Sequence, residues 1–278
     1  MSRLVVVVEN TSLHPDLVVE HGLSLWVELD AGPILLDTGA GRALMENLQV
    51  LKLNPLDLKG VVLSHGHYDH TGGLAGLLEA RRAAGLATPV WCHADVFAPH
   101  LAQRPGKLEY IGPPLKDRAA YEKLGAEFHF VQDRAEPWPG VTLLGPIPRR
   151  NDFEGPAPNL VIQQDGDLAP DPLRDDLALV LEGDRGLCLL TGCAHSGVIN
   201  LLTACRDQLG REPVLLAGGT HLGPAPAAQR ERALEELARR ENLTVAAGHC
   251  TGESVLREMA RRLGRRLVEL RGGLELRL

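Results

Sequence analysis

Six consecutive positions, His65-Gly66-His67-Tyr68-Asp69-His70, place three imidazoles and a carboxylate directly behind the apolar run Gly60-Val61-Val62-Leu63. That run reads as a buried strand ending in a tight loop. In extended backbone alternate side chains share a face, so His65 and His67 point the same way. Asp69 and His70 are neighbours and point apart unless the chain turns. The pattern therefore aims two pairs of ligand-type groups at two adjacent places. Neutral imidazole and carboxylate are ligands that zinc, iron and manganese accept, and such an ion with open positions can polarise an oxygen or make hydroxide from water. A lone histidine here would read as a solvated loop residue; four ligand-type side chains at this spacing do not.

A chain of 278 residues with 44% hydrophobic content can bury the core of one large domain or two small ones, and a single domain spanning 1–278 is expected. The formal charge of -7 argues against a general nucleic-acid binder. Five cysteines, Cys92, Cys188, Cys193, Cys205 and Cys250, are an odd number without the dense spacing of a secreted disulfide framework, which favours a reduced, cytoplasmic compartment. The opening apolar run, Leu4 to Val8, is too short for a signal-peptide core and reads as a first core strand. No uninterrupted apolar segment approaches the roughly 20 residues that cross a bilayer, so no membrane partner is expected.

Leu23–Leu29 and Pro33–Asp37 form a predicted hairpin about Asp30-Ala31-Gly32. Leu44, Leu48 and Leu51 are spaced as one face of a short helix. Residues 74–84 make an amphipathic helix with Leu74, Leu77 and Leu78 on one side and Glu79, Arg81 and Arg82 elsewhere. Thr71 is placed to cap it, and free N–H groups at Gly72 and Gly73 would face the histidine loop, where an anionic substrate group could bind. From about 97 to 172 frequent Pro and Gly predict loops that cover the site, interrupted by short strands at Phe128–Val131 and Val141–Leu144. Arg149 and Arg150 in this stretch are either anion contacts or solvated surface.

The second half repeats one local pattern three times: an apolar strand, a glycine-relieved bend, a histidine and a helix-like segment. The bends are Gly192-Cys193-Ala194-His195, Gly218-Gly219-Thr220-His221 and Gly248-His249-Cys250. Loops at the ends of strands in a rigid scaffold are where chemistry collects, so these histidines are expected on one rim with the first motif. Leu234 with Leu237, and Val255 with Met259 and Leu263, mark two buried helical stripes, and a last hairpin is expected about Gly272-Gly273.

His65-Gly66-His67-Tyr68-Asp69-His70, together with Leu35-Leu36-Asp37-Thr38-Gly39 upstream, resembles the two leading motifs of the metallo-β-lactamase superfamily. The resemblance implies an α/β fold, a four-layer αββα sandwich of two mixed sheets flanked by helices, with one or two metal ions at the sheet edge. It assigns His65, His67 and a later histidine to a first metal, and Asp69, His70 and His249 to a second. His195 is preferred to His221 as that later histidine. Cys193 stands where relatives usually carry a bridging aspartate, so it is either a thiolate ligand or an inert buried residue. Asp37 is implied as a support for the ligands. His221 is left as a catalytic or substrate contact beside Asp69, which would orient the attacking water. His21, Gly72, Gly73 and Arg149 complete the candidate substrate contacts.

Glu20-His21-Gly22-Leu23-Ser24, Thr191-Gly192-Cys193-Ala194-His195-Ser196-Gly197 and Gly218-Gly219-Thr220-His221-Leu222 are similar to the branch named for dihydropterin-(ribofuranosyl)aminobenzene phosphate synthase. The expected activity is a metal-dependent hydrolase, using zinc or else iron or manganese, on an ester-like or phosphate-ester bond of a small anionic substrate. A transferase of the pterin type, an iron-dependent oxidoreductase and a non-catalytic ligand sensor are the alternatives, because one fold hosts many reactions.

Overall fold

Alternation along the strands builds the molecule in layers, seen in a computed structural model that describes residues 2–164 and 166–278. One seven-stranded sheet runs in the order Glu275–Arg277, Arg3–Val8, Ser24–Glu28, Ile34–Leu36, Val61–Val62, Thr88–Cys92, Ala126–Phe130. The other runs Leu267–Glu269, Thr244–Gly248, Leu215–Gly219, Gly186–Thr191, Ala178–Gly183, Val141–Leu144, Arg134–Trp138. Both are mixed. The first is antiparallel through its opening hairpins and parallel from Ile34–Leu36 onward, and the second is parallel between Gly186–Thr191 and Leu267–Glu269.

Leu4 and Val6 face the second sheet, meeting Leu179, Leu190 and Ala217 across the sandwich. Val5 and Val7 face the opposite way, toward Leu44 and Leu48 of helix Leu44–Val50 and Leu74, Leu77 and Leu78 of helix Leu74–Ala83. On the far side Leu189, Leu216 and Val245 pack against helices Val198–Leu209, Ala227–Arg239 and Glu253–Leu263, the last through Val255, Met259 and Leu263. Period-two strands between helical stripes thus give helix, sheet, sheet, helix. No helix among the described residues is long and apolar enough to cross a membrane, and all five cysteines are free thiols.

Four details differ from the sequence expectation. The Pro/Gly-rich stretch is not simply looped: Leu101–Arg104, Lys107–Tyr110, Leu160–Gln164 and Asp167–Pro170 pair as a small antiparallel sheet beside the sandwich. The C-terminus is not a hairpin, because Leu267–Glu269 closes one sheet and Glu275–Arg277 the other. Arg81 is buried, its guanidinium donating to Thr88 Oγ1 and to the carbonyls of Pro55 and Ala87, so it bolts the helix to its neighbours. Thr71 does not cap helix Leu74–Ala83; its hydroxyl donates back to the His67 carbonyl at 3.0 Å, closing the turn Tyr68–Thr71.

Candidate metal centre

Val61–Val62 delivers the chain to the rim of the sandwich, where His67 is still extended and a helical turn begins at Tyr68. That change of conformation gives His65 and His67 a shared target while redirecting Asp69 and His70. His65 Nε2 lies 3.1 Å from His67 Nδ1. The strand Gly186–Thr191 brings in His195, and the ligand atoms of His65, His67 and His195 all lie within 4.8 Å of one another. A second grouping joins His65, His70 and Cys193, and a third His21, Asp69 and His249. His70 Nε2 is 3.2 Å from His249 Nε2 and from Cys193 Sγ, and Asp69 Oδ2 is 3.3 Å from both His249 Nε2 and His21 Nε2.

The other ring nitrogens are anchored in ways that fix the tautomers. Asp37, fully buried, takes the Ser64 N–H on one oxygen; the other takes the Ser64 hydroxyl and His70 Nδ1–H, each at 2.7 Å. With its hydrogen given to Asp37, Ser64 Oγ accepts from His65 Nδ1 at 2.8 Å, which leaves a lone pair on His65 Nε2. His249 Nδ1 bonds Asn10 Oδ1 at 3.1 Å, and its backbone N–H donates to Glu9. His65, His70 and His249 therefore all turn Nε2 inward.

Electrostatics separate the two halves of the cluster. Burial, then the nearby imidazoles, push His65 and His195 well below the usual histidine range and His67 down to about 3, so all three are neutral. Burial alone would also strip His70, but the Asp37 and Asp69 carboxylates outweigh it and hold its pKa at about 9. Burial would favour a protonated Asp69; His70 and His249 reverse that and keep it ionised far below the ordinary carboxylate range. The half around Asp37 and Asp69 thus attracts positive charge, and the half around His195 offers uncharged nitrogens.

Metal fit can be tested on the buried polar atoms. His195 has both ring nitrogens buried without a protein partner, and His67 Nε2 is buried likewise. A buried polar group without a partner costs about 1–3 kcal/mol. Three neutral imidazoles converging within ligand reach, one with no protein hydrogen bond at all, is an arrangement that a cation satisfies and plain packing does not.

The cluster floors a cavity of about 340 Å³, bordered by His21, Tyr68, Arg104, Asn159 and His221 among others. His221 sits with its ring 4.2 Å from that of His195, and burial followed by His249 lowers its pKa to about 4. His21 stacks on His249 at 4.7 Å.

Three expected substrate contacts are not there. The Gly72 N–H donates to the Gly39 and Tyr68 carbonyls and that of Gly73 to Gly39, so neither N–H is free for an anion. Gly72 is glycine for a different reason: a Cβ there would run into the Ala40 carbonyl. Gly72→Ala is accordingly expected to lower stability by about 1–3 kcal/mol through overpacking; an unshifted urea midpoint would contradict this. Arg149 donates to the carbonyls of Pro172 and His195 at 2.9 and 3.2 Å, so it braces the His195 loop.

Sequence reasoning passed over Cys250, which directly follows His249 and enters a ligand-type group with it and Cys193. It also passed over His100, whose Nδ1 bonds Asp171 at 2.6 Å while Asp175 accepts the Gly66 N–H at 2.6 Å from beneath the histidine loop. The signal for His100 was the residue type alone, in a stretch read as loop; Cys250 sat in the bend Gly248-His249-Cys250, beside a residue already expected to be a ligand.

Fold, rim motif and clustered imidazoles define one class: the chain belongs to the metallo-beta-lactamase superfamily, whose sequence profile matches residues 17–249. Among individual relatives, it is 28% identical over 244 residues to 7,8-dihydropterin-6-methyl-4-(beta-D-ribofuranosyl)-aminobenzene-5'-phosphate synthase of Methanocaldococcus jannaschii, covering 84% of this chain and 81% of that one. An uncharacterized protein of the same organism is 27% identical over 256 residues, 92% of this chain and 93% of the other. The crystal structure of Tm1679, described as a metal-dependent hydrolase of the beta-lactamase superfamily, superposes with a TM-score of 0.85 at 26% identity, covering 100% of this chain and 99% of that one.

Proposed function

We propose that the protein is a metal-dependent hydrolase that cleaves an ester-like or phosphate-ester bond in a small anionic substrate. The observation that carries this reading is the convergence of buried, neutral His65, His67 and His195, the last two lining an open cavity. His65, His67 and His195 would hold one ion, and Asp69, His70 and His249 a second. A divalent ion there supplies Lewis acidity toward a carbonyl or phosphoryl oxygen and makes water acidic near neutral pH.

The chain's own residues do the rest. Asp69, ionised and facing the cavity, accepts a hydrogen bond from water and fixes its orientation. Arg104, on the cavity wall and ion-paired with Glu109 at 3.5 Å, is a cationic side chain that an anionic substrate group can engage, the role expected earlier of Arg149. His221 is neutral at pH 7, so it offers a ring nitrogen to a substrate oxygen instead of acting as an imidazolium acid. Arg104, Ile111, Asn159 and Leu160 come from segment 97–172, which on this reading covers the site of a single domain spanning 1–278.

The second reading is a transferase, favoured by the relative named as a dihydropterin–aminobenzene phosphate synthase. In that case the cavity would seat a pterin and a phosphorylated aminobenzene, and the attacking group would be carbon or nitrogen in place of water. The test is a panel of phosphate monoesters, phosphodiesters, lactones and thioesters, with zinc, manganese or ferrous protein, run beside a pyrophosphate-activated pterin with an aminobenzene acceptor. Hydrolysis that chelation abolishes and metal restores is expected. A condensed pterin product without hydrolysis selects the transferase, and metal-loaded protein inert toward the whole panel sinks both.

A further inference from the structure

We propose that Cys250 joins Cys193 and His249 as a two-thiolate ligand set for the second ion, beside His70 and Asp69, so that this position takes a soft divalent cation such as zinc, cobalt or ferrous iron over magnesium. The inference rests on the metal centre proposed above and gives one half of it a chemical preference. Cys193 Sγ, Cys250 Sγ and a His249 ring nitrogen all lie within 4.8 Å of one another. Metal–sulfur bonds of about 2.3 Å and metal–nitrogen bonds of about 2.0–2.1 Å put these donors ~3.5–3.8 Å apart at tetrahedral angles and somewhat closer in a five-coordinate site, so closing on an ion draws them together by on the order of 1 Å. Thiolate donors select soft cations, whereas carboxylate, carbonyl and water suit magnesium.

The ordinary explanation of a buried cysteine is that it packs as a small hydrophobe. Three of the five fit it: Cys92, Cys188 and Cys205 each belong to an apolar core cluster. Cys193 and Cys250 belong to none of those clusters and lie on the cavity wall among imidazoles. The backbone is also shaped to Cys250. The His221 N–H donates to its sulfur at 3.2 Å, a bond that strengthens as the sulfur gains negative charge. Opposite, Gly219 leaves the room that the sulfur occupies, since a Cβ on Gly219 would run into Cys250 Sγ. A soft sulfur pair thus stands where a hard bridging carboxylate was anticipated.

Zinc K-edge X-ray absorption on the reduced, zinc-reconstituted protein tests this. Sulfur scatterers at about 2.3 Å are expected, numbering two for each filled second position, or one per zinc when both positions are filled. Cys193→Ser and Cys250→Ser should each halve the sulfur contribution and the double variant should remove it. Bound zinc with only nitrogen and oxygen neighbours overturns the thiolate set while leaving the imidazole centre standing. A sulfur contribution unchanged by Cys250→Ser assigns Cys193 alone and overturns it too, and failure of the unsubstituted protein to bind zinc removes both proposals. If a variant does not fold, the sulfur count of the unsubstituted protein decides, with half the expected number or less counting against the pair.

Discussion

Replacing Asp69 with Asn is expected to cut metal-dependent turnover by more than the roughly 100-fold that loss of an outer ligand support costs, in a protein that still folds. Asp69 Oδ2 lies beside the inward-facing nitrogens of the second group of imidazoles, 3.3 Å from His249 Nε2 and from His21 Nε2 and 3.7 Å from His70 Nε2. An amide keeps the volume and removes the charge, so it withdraws the anionic donor and one of the two acceptor oxygens that orient water. The fold has little reason to respond. The anchor of this turn is the Asp69 backbone carbonyl, which accepts from Leu23 N–H at 3.2 Å and does not change with the side chain. Because His65, His67 and His195 are untouched, bound metal should fall toward one ion per chain without vanishing. Metal content after dialysis and the rate on whichever panel substrate is turned over measure the two effects separately. Unchanged turnover under saturating metal would reject the role given to Asp69.

The parts of this site that could be read in advance are those whose chemistry is local. His65 and His67 share a face because the backbone between them is extended, and the turn at Tyr68 is the one change needed to redirect Asp69 and His70. The layered fold was legible only through the family resemblance: Leu4, Val5, Val6 and Val7 are all apolar, which marks a buried strand without saying which residues meet the second sheet and which the helices. Partners far along the chain were not. Gly72 and Gly73 carry N–H groups that look free in the sequence, yet the Gly39 carbonyl, more than thirty positions earlier, takes them. Arg149 is spent on the carbonyls of Pro172 and His195 in the same way. In the Pro/Gly-rich stretch, four-residue strands such as Leu101–Arg104 are too short to show a period between their turn residues. Backbone strain was equally hidden: Asp37, Ala194, His221 and His249 all adopt positive φ, at 60°, 56°, 50° and 51°, a conformation costing of order 1–3 kcal/mol for each non-glycine residue. Four such residues in or beside one cluster show that the surrounding packing, and not local preference, sets the directions of these side chains.

Asp37→Ala should be the most destabilising single change at the rim, by about 3–5 kcal/mol, because it strips the partner from a buried charged pair. Asp37 binds the Ser64 N–H, the Ser64 hydroxyl and His70 Nδ1, each at 2.7 Å, and neither it nor His70 is exposed. Alanine leaves all three donors in a dry site and gives up the tolerance of aspartate for positive φ. The damage reaches both metal positions, since His70 loses its orienting acceptor directly and His65 loses it through Ser64 Oγ, which would be free to turn its hydrogen toward His65 Nδ1. Metal affinity should fall by about 10–100-fold as well. Added zinc should then raise the urea midpoint of the variant less than that of the unsubstituted protein at the same concentration, because stabilisation by a ligand follows the ratio of its concentration to its dissociation constant. Asp37→Asn separates geometry from charge: its oxygen can still take the Ser64 N–H, but its NH₂ faces groups that also donate, so it should lie between alanine and the native residue. A loss of less than about 1 kcal/mol in Asp37→Ala, the net worth of one ordinary hydrogen bond, would mean that the imidazoles hold their places without this carboxylate.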